Sequence, residues 1–272
     1  FASQGKYQGD RALMSFEVGK QAFDFLIANS GTRRNLEVDF FGGEPLMNFE
    51  VVKQLVAYAR EVEGKHGKNF RFTLTTNGML IDDDVIDFAN RECSNVVLSL
   101  DGRKEIHDRF RVDYAGNGSF DRIVPKFQQL VKARNGQGYY MRGTFTHANP
   151  DFLKDIQQML DLGFTELSME PVVCAADDPS ALTEEDLPIV MEQYERLAEL
   201  MLATVTHPSQ DGVGIAGPQV GINRRVVAVQ RFDKEPVEWG GHTDHPFEVY
   251  ANIKIVWKSE DLGPGPEGCL SV

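Results

Sequence analysis

Two hydrophobic periods take turns along the first 170 or so residues of this chain. Apolar side chains return at helical spacing over 15–28, and in 49–62 Val51, Val52, Leu55, Val56, Ala59 and Val62 mark one helix face. Between them 36–41 reads as a strand running into Gly42 and Gly43. Further strands are predicted at 70–75, 96–100, 139–146 and 164–170. Helices are predicted after the acidic run at Asp82, Asp83 and Asp84, then over 120–133 and 151–162. Strands separated by helices of this length imply a parallel sheet with right-handed crossovers. Folds of this kind carry their sites in loops at the C-terminal strand ends. Those loops are polar or glycine-bearing here: Gly42-Gly43, Asn77-Gly78 and Asp101-Gly102.

The pattern changes after Pro171. Residues 176–199 are strongly acidic, Asp178-Pro179-Ser180 reads as a turn, and Thr183 with Asp186 reads as a helix start, the helix running to about Thr204. Beyond it the chain is glycine-rich and strand-like, with β candidates at 226–230 and 249–258.

Composition narrows the functional classes. The 272 residues are enough for one large domain or two smaller ones, and 42% hydrophobic content with 18 Phe is enough for a core. A formal charge of −13 predicts no nucleic-acid binding. No apolar run approaches the roughly 20 residues of a membrane span, so no membrane association is expected. Three widely spaced cysteines, Cys93, Cys174 and Cys269, make no disulfide framework and fit a reducing cytoplasm.

The motifs sit at the predicted strand ends. A glycine pair before Glu44-Pro45 lets backbone approach a ligand closely, or makes a strand-to-helix turn with Pro45 at the first helical position. Thr75-Thr76-Asn77-Gly78 ends the next strand. Ser99-Leu100-Asp101-Gly102 ends the one after, followed by His107-Asp108, Arg111 and Gly118-Ser119-Phe120; Met169-Glu170-Pro171-Val172 ends the last. In this order and spacing the motifs resemble radical S-adenosylmethionine (SAM) enzymes that modify peptides. They are most similar to maturases that install thioether cross-links in cysteine-rich peptides, and to sulfatase-maturing enzymes.

The resemblance implies that Gly42, Gly43 and Glu44 hold the amino group of SAM and that Thr76 and Asn77 line the cofactor pocket. It implies a contact from Ser99 to the ribose or carboxylate of SAM. Arg111 is either a ligand of that carboxylate or a solvated side chain. His107 and Asp108 are read as structural, and Glu170 as reaching the substrate pocket or serving a turn. The family also holds a [4Fe–4S] cluster on a CxxxCxxC loop. Residues 1–5 resemble the stretch just past the third cysteine of that loop, so no cluster ligands are expected in this chain.

A second pair of motifs lies in the C-terminal quarter. The run 212–221, GVGIAGPQVG, and the run 267–271, EGCLS, resemble the first two motifs of peptide deformylases. The resemblance implies a divalent metal, such as Fe(II) or Zn(II), with Cys269 as its thiolate ligand. It implies oxyanion donors from the Gln219 side chain and the Leu270 N–H, peptide contact at Gly214, and formyl-Met nascent peptides as substrate. The family's HExxH helix would come after Cys269, and the chain ends three residues beyond that cysteine. His242-Thr243-Asp244-His245 reads as an exposed insertion loop or a two-histidine metal pair.

The expected fold is therefore α/β: a partial radical-SAM (β/α)6-type barrel over 1–198, then a partial α+β deformylase fragment over 199–272. Cysteine-rich precursor peptides are the expected partners of the first part. Both activities are expected to be missing from the chain as given, each for want of metal ligands.

Overall fold

The computed structural model describes residues 12–205, 214–216, 226–239 and 242–251. Its first 170 residues alternate as their pattern requires. The helices are α1 (Phe16–Asn29), α2 (Phe49–Glu63), α3 (Asp83–Glu92), α4 (Lys104–Phe110), α5 (Phe120–Ala133) and α6 (Leu153–Asp161). The strands are β1 (Asn35–Phe40), β2 (Asn69–Thr76), β3 (Cys93–Ser99), β4 (Tyr139–Phe145) and β5 (Leu167–Pro171). They form one sheet in the order β1-β2-β3-β4-β5, and β1 to β4 pair in parallel.

By its contacts the chain divides into two compact units, 1–143 with 159–166, and 144–158 with 167–272. In the first, alternation along the strands, interrupted by one irregularity between β2 and β3 at Phe72/Thr73, assigns the two faces of the sheet. Phe70, Phe72, Leu74, Val96, Leu98 and Met141 are buried with Ile123, Phe127 and Leu130 of α5. Phe40 and Phe70 both stack on Phe72, and Phe23 of α1 tilts against the same ring. Gly19 of α1 permits this packing, because a Cβ there would lie 2.5 Å from Leu55 Cδ1 of α2. The intervening positions put Asp39, Thr75, Ser99 and Arg142 on the opposite, concave face.

The second unit has its own core. Helix α7 (Leu187–Val205) buries Leu197 and Met201 against Ala228 of β7 (Val226–Gln230). β7 is the middle strand of an antiparallel sheet between β6 (Gly214–Ala216) and β10 (Phe247–Ala251). Two local expectations differ from what forms. Helix α7 starts at Leu187 rather than near Thr183: the Asp186 carboxylate accepts the Thr183 N–H and hydroxyl and lies 2.8 Å from His147 Nδ1, while the Asp186 N–H bonds the Thr183 carbonyl rather than its hydroxyl. The segment expected as a loop around His242 is a hairpin, β8 (Val237–Trp239) with β9 (His242–Asp244). The expected division at 198/199 falls inside α7. Among the described residues no helix is long and apolar enough to cross a membrane.

Candidate functional site

The C-terminal ends of β1, β2 and β3 carry the polar motifs, and Glu44 ties the first two together. Its Oε1 accepts the Thr76 hydroxyl at 2.8 Å and the Leu46 N–H at 3.1 Å, and its Oε2 accepts the Asn77 N–H at 2.7 Å. Glu44 thereby caps the short 3-10 helix Pro45–Asn48 and fastens the loop after β1 to the end of β2. Burial raises its pKa, against the lowering effect of the three donors. Thr76 is buried, and its hydroxyl also accepts the Gly78 N–H, so this residue braces Glu44 from behind. The Asn77 side chain closes an Asx turn on the Met79 N–H. Gly42 has φ +151° with open space around it, so backbone conformation rather than room requires glycine there.

The concave face holds groups that the motifs alone do not reveal. The Thr75 hydroxyl donates to Asp39 at 3.0 Å. Partial burial raises the Asp39 pKa, while Thr75 and the nearby Arg142 guanidinium pull it down. Arg142 stands opposite Ser99 in the β3–β4 register. Alternation along the strands is the sequence signal that points to this row.

Arg111 is not a solvated side chain. Its Nε and Nη2 bond the two Asp101 oxygens at 2.6 and 2.9 Å, with Asp101 buried and Arg111 32% exposed. Burial works against the Arg111 charge, but the carboxylate more than offsets it and the pKa is raised. His107 is completely buried behind this pair. Its Nδ1 accepts the Asp101 N–H and its Nε2 meets Ser119 Oγ at 2.9 Å. Asp108 accepts the Phe120 N–H, and Gly118 leaves it room, since a Cβ there would lie 2.1 Å from the carboxylate carbon.

Burial drives the His107 pKa down to about 4 from 6.5. The fold therefore holds it neutral. Its contribution to stability is complete above pH 6.5 and is lost as pH falls from 6.5 towards 4. The loss should be on the order of 3 kcal/mol. Denaturant melts between pH 7 and 4 should show it, and the His107→Gln variant should have a flatter profile over that range.

The remaining expected residues fall elsewhere. Glu170 lies on β5, half-buried, in the second unit, and Gly214 opens β6. Gln219, Cys269 and Leu270 lie outside the described residues. His245 Nδ1–H donates to the Lys234 carbonyl at 2.7 Å. Among the described residues no group of three His, Cys, Asp or Glu side chains is arranged to hold a metal ion.

The sequence of residues 3–158 matches the profile of the Radical SAM superfamily, more than half of the chain. The chain belongs to that superfamily. Residues 169–272 match the profile of polypeptide deformylase, so one chain carries both in succession. The chain is 32% identical over 98 residues to a cysteine-type anaerobic sulfatase-maturating enzyme of Clostridium novyi, covering 36% of this chain and 26% of the relative. It is 33% identical over 110 residues to the peptide deformylase of Rickettsia canadensis, covering 39% and 58%. This radical SAM protein thus spans about a quarter and rather more than half of those two relatives. In fold it is similar to native anSMEcpe with bound AdoMet (TM-score 0.59, 21% identity, 72% of this chain and 55% of that one). Streptococcus suis SuiB bound to S-adenosylmethionine is also similar in fold (TM-score 0.51, 15% identity, 72% and 43%).

Two implied groups fare differently against these residues. The polar cradle at the ends of β1 to β3 suits SAM: an open glycine turn, a fixed carboxylate and a partly exposed guanidinium. An iron–sulfur cluster does not fit the cysteines described. Cys93 opens β3, at the far end of the strand from the cradle, buried with its thiol pushed up to about 12. Cys174 belongs to the second unit. The thiolate implied for the deformylase metal, Cys269, lies outside the described residues.

Proposed function

We propose that the first unit binds SAM at the C-terminal ends of β1, β2 and β3, and that this part serves peptide modification of the thioether-forming or sulfatase-maturing kind. The observation that carries the reading is the Glu44 clamp, which joins GGEP to the Thr76-Asn77 strand end in one rigid turn. Gly42, Gly43 and Glu44 receive the amino group of SAM, Ser99 its ribose or carboxylate, and Arg111 its carboxylate. Thr76 and Asn77 hold Glu44 in place. SAM supplies radical chemistry only with an electron from an iron–sulfur cluster. Equilibrium dialysis with labelled SAM tests the binding: about one SAM per chain is the expected result. Absence of saturable binding would refute the reading.

A second reading attaches to residues 169–272, favoured by their match to the deformylase profile and by the antiparallel β10-β7-β6 sheet. In it Cys269 binds a divalent metal, Gln219 and Leu270 stabilise the oxyanion, and Gly214 pairs with a formyl-Met peptide. Formyl-Met-peptide hydrolysis with added Fe(II) or Zn(II) is the test. No turnover with either metal would leave the segment non-catalytic in this chain.

A further inference from the structure

Four residues behind the cradle close a hydrogen-bond ring. The Asp101 N–H donates to His107 Nδ1 at 3.3 Å. The Ser119 hydroxyl donates to the Arg111 carbonyl at 2.8 Å. With its one proton used there, Ser119 must accept from His107, so the imidazole carries its proton on Nε2. The Arg111 guanidinium then closes the ring on the Asp101 carboxylate. Every donor in the ring has one direction, and the neutral Nε2–H form of His107 is the one tautomer that allows it. Arg111 is held by both its backbone carbonyl and its side chain, although it lies beyond the last turn of α4 (Lys104–Phe110), where a long side chain would otherwise sample many rotamers.

Asp101 lies two residues beyond Ser99, where β3 ends, so the ring adjoins the strand end that carries the polar contact assigned to Ser99. A guanidinium has five N–H donors, and the bonds to Asp101 are made by Nε and Nη2. The Nη1 edge is the one a ligand carboxylate would take.

We propose that Asp101, His107 and Ser119 are positioning residues that aim Arg111 at the α-carboxylate of the amino-acid portion of SAM. The inference rests on the SAM reading above and adds how its carboxylate is selected. A ring that merely stabilises the fold would leave ligand preference unchanged, which gives the test its discrimination.

Binding of SAM and of decarboxylated SAM is measured by calorimetry on the full chain and its variants. The wild-type chain should prefer SAM by roughly 10-fold or more, the scale of one charge-assisted hydrogen-bonded pair. Asp101→Asn keeps the backbone N–H to His107 and removes the charged fork; it should weaken SAM about 10-fold and leave the decarboxylated ligand unaffected. Ser119→Ala opens the ring away from the guanidinium and should narrow the preference about 3-fold. Arg111→Gln should abolish it. Should Asp101→Asn fail to fold, Ser119→Ala and Arg111→Gln decide. A wild-type preference retained in both ring variants overturns the positioning role. Equal binding of the two ligands by the wild-type chain overturns the Arg111 contact while leaving SAM binding intact. Binding of neither ligand overturns the SAM reading itself, and the positioning role with it.

Discussion

Glu44→Ala is expected to cost about 3 kcal/mol of folding stability and to weaken SAM binding by about 100-fold. Three donors lose their acceptor at once: the Thr76 hydroxyl, the Asn77 N–H and the Leu46 N–H. Thr76 is almost inaccessible to water, so its hydroxyl finds no replacement partner. The short helix at Pro45–Asn48 loses its cap in the same step. Glu44→Gln separates charge from geometry. It retains one acceptor oxygen but turns an amide N–H2 toward donors, and it removes the charge whose burial raises the Glu44 pKa. It should lose about 1–2 kcal/mol, less than the alanine variant. Urea melts of the two variants check the order; equal stability of Glu44→Ala and the wild-type chain would mean the clamp is not closed in solution.

Gly78→Ala is expected to be comparably damaging, by about 3–4 kcal/mol, through packing rather than hydrogen bonding. Gly78 has φ +82°, and a Cβ would stand 2.3 Å from Phe127 Cε1 and 3.2 Å from Ile123 Cβ. Both neighbours are fully buried in α5, so neither can withdraw. The displaced turn would also pull the Gly78 N–H from Thr76, whose hydroxyl supports Glu44. A core defect thus reaches the cradle through a single side chain. Gly116→Ala is the control: its φ is also +82°, but nothing lies within 4 Å of the new Cβ. It should cost only about 1–2 kcal/mol, the backbone part alone. Chemical denaturation of the pair tests this, and equal losses would show that the Phe127 contact relaxes without cost.

The strands and most helices of the first unit are legible in the sequence because each has a long apolar period and a turn residue at its end. Helix α4 is not. It has seven residues, KEIHDRF, and buries only Ile106 and His107, too few for a period to emerge. The start of α7 lies one turn later than its capping pattern suggests: Asp186 accepts the Thr183 N–H as in a capping box, but the Thr183 hydroxyl donates to that carboxylate, and the Asp186 N–H bonds the Thr183 carbonyl instead of the hydroxyl. The glycine pair and Glu44 are legible as a site from their place at a strand end. Their bracing by Thr76 is not, since it depends on how β1 and β2 come into register. The Arg111 ring lies further out of reach. Its members are up to 18 positions apart, from Asp101 to Ser119, and only the folded loop makes them a cycle. The Asp39–Thr75 pair, by contrast, comes from alternation once the strands are placed side by side.

Hydrogen exchange read peptide by peptide, with and without SAM, tests the central claim most directly. Binding at the cradle predicts that SAM slows exchange over 41–48 and 76–80, and more weakly over 99–112, with the helix-facing core unchanged. Protection confined to other segments, or no change at saturating SAM, would contradict the assignment of the β1–β3 ends as the SAM site.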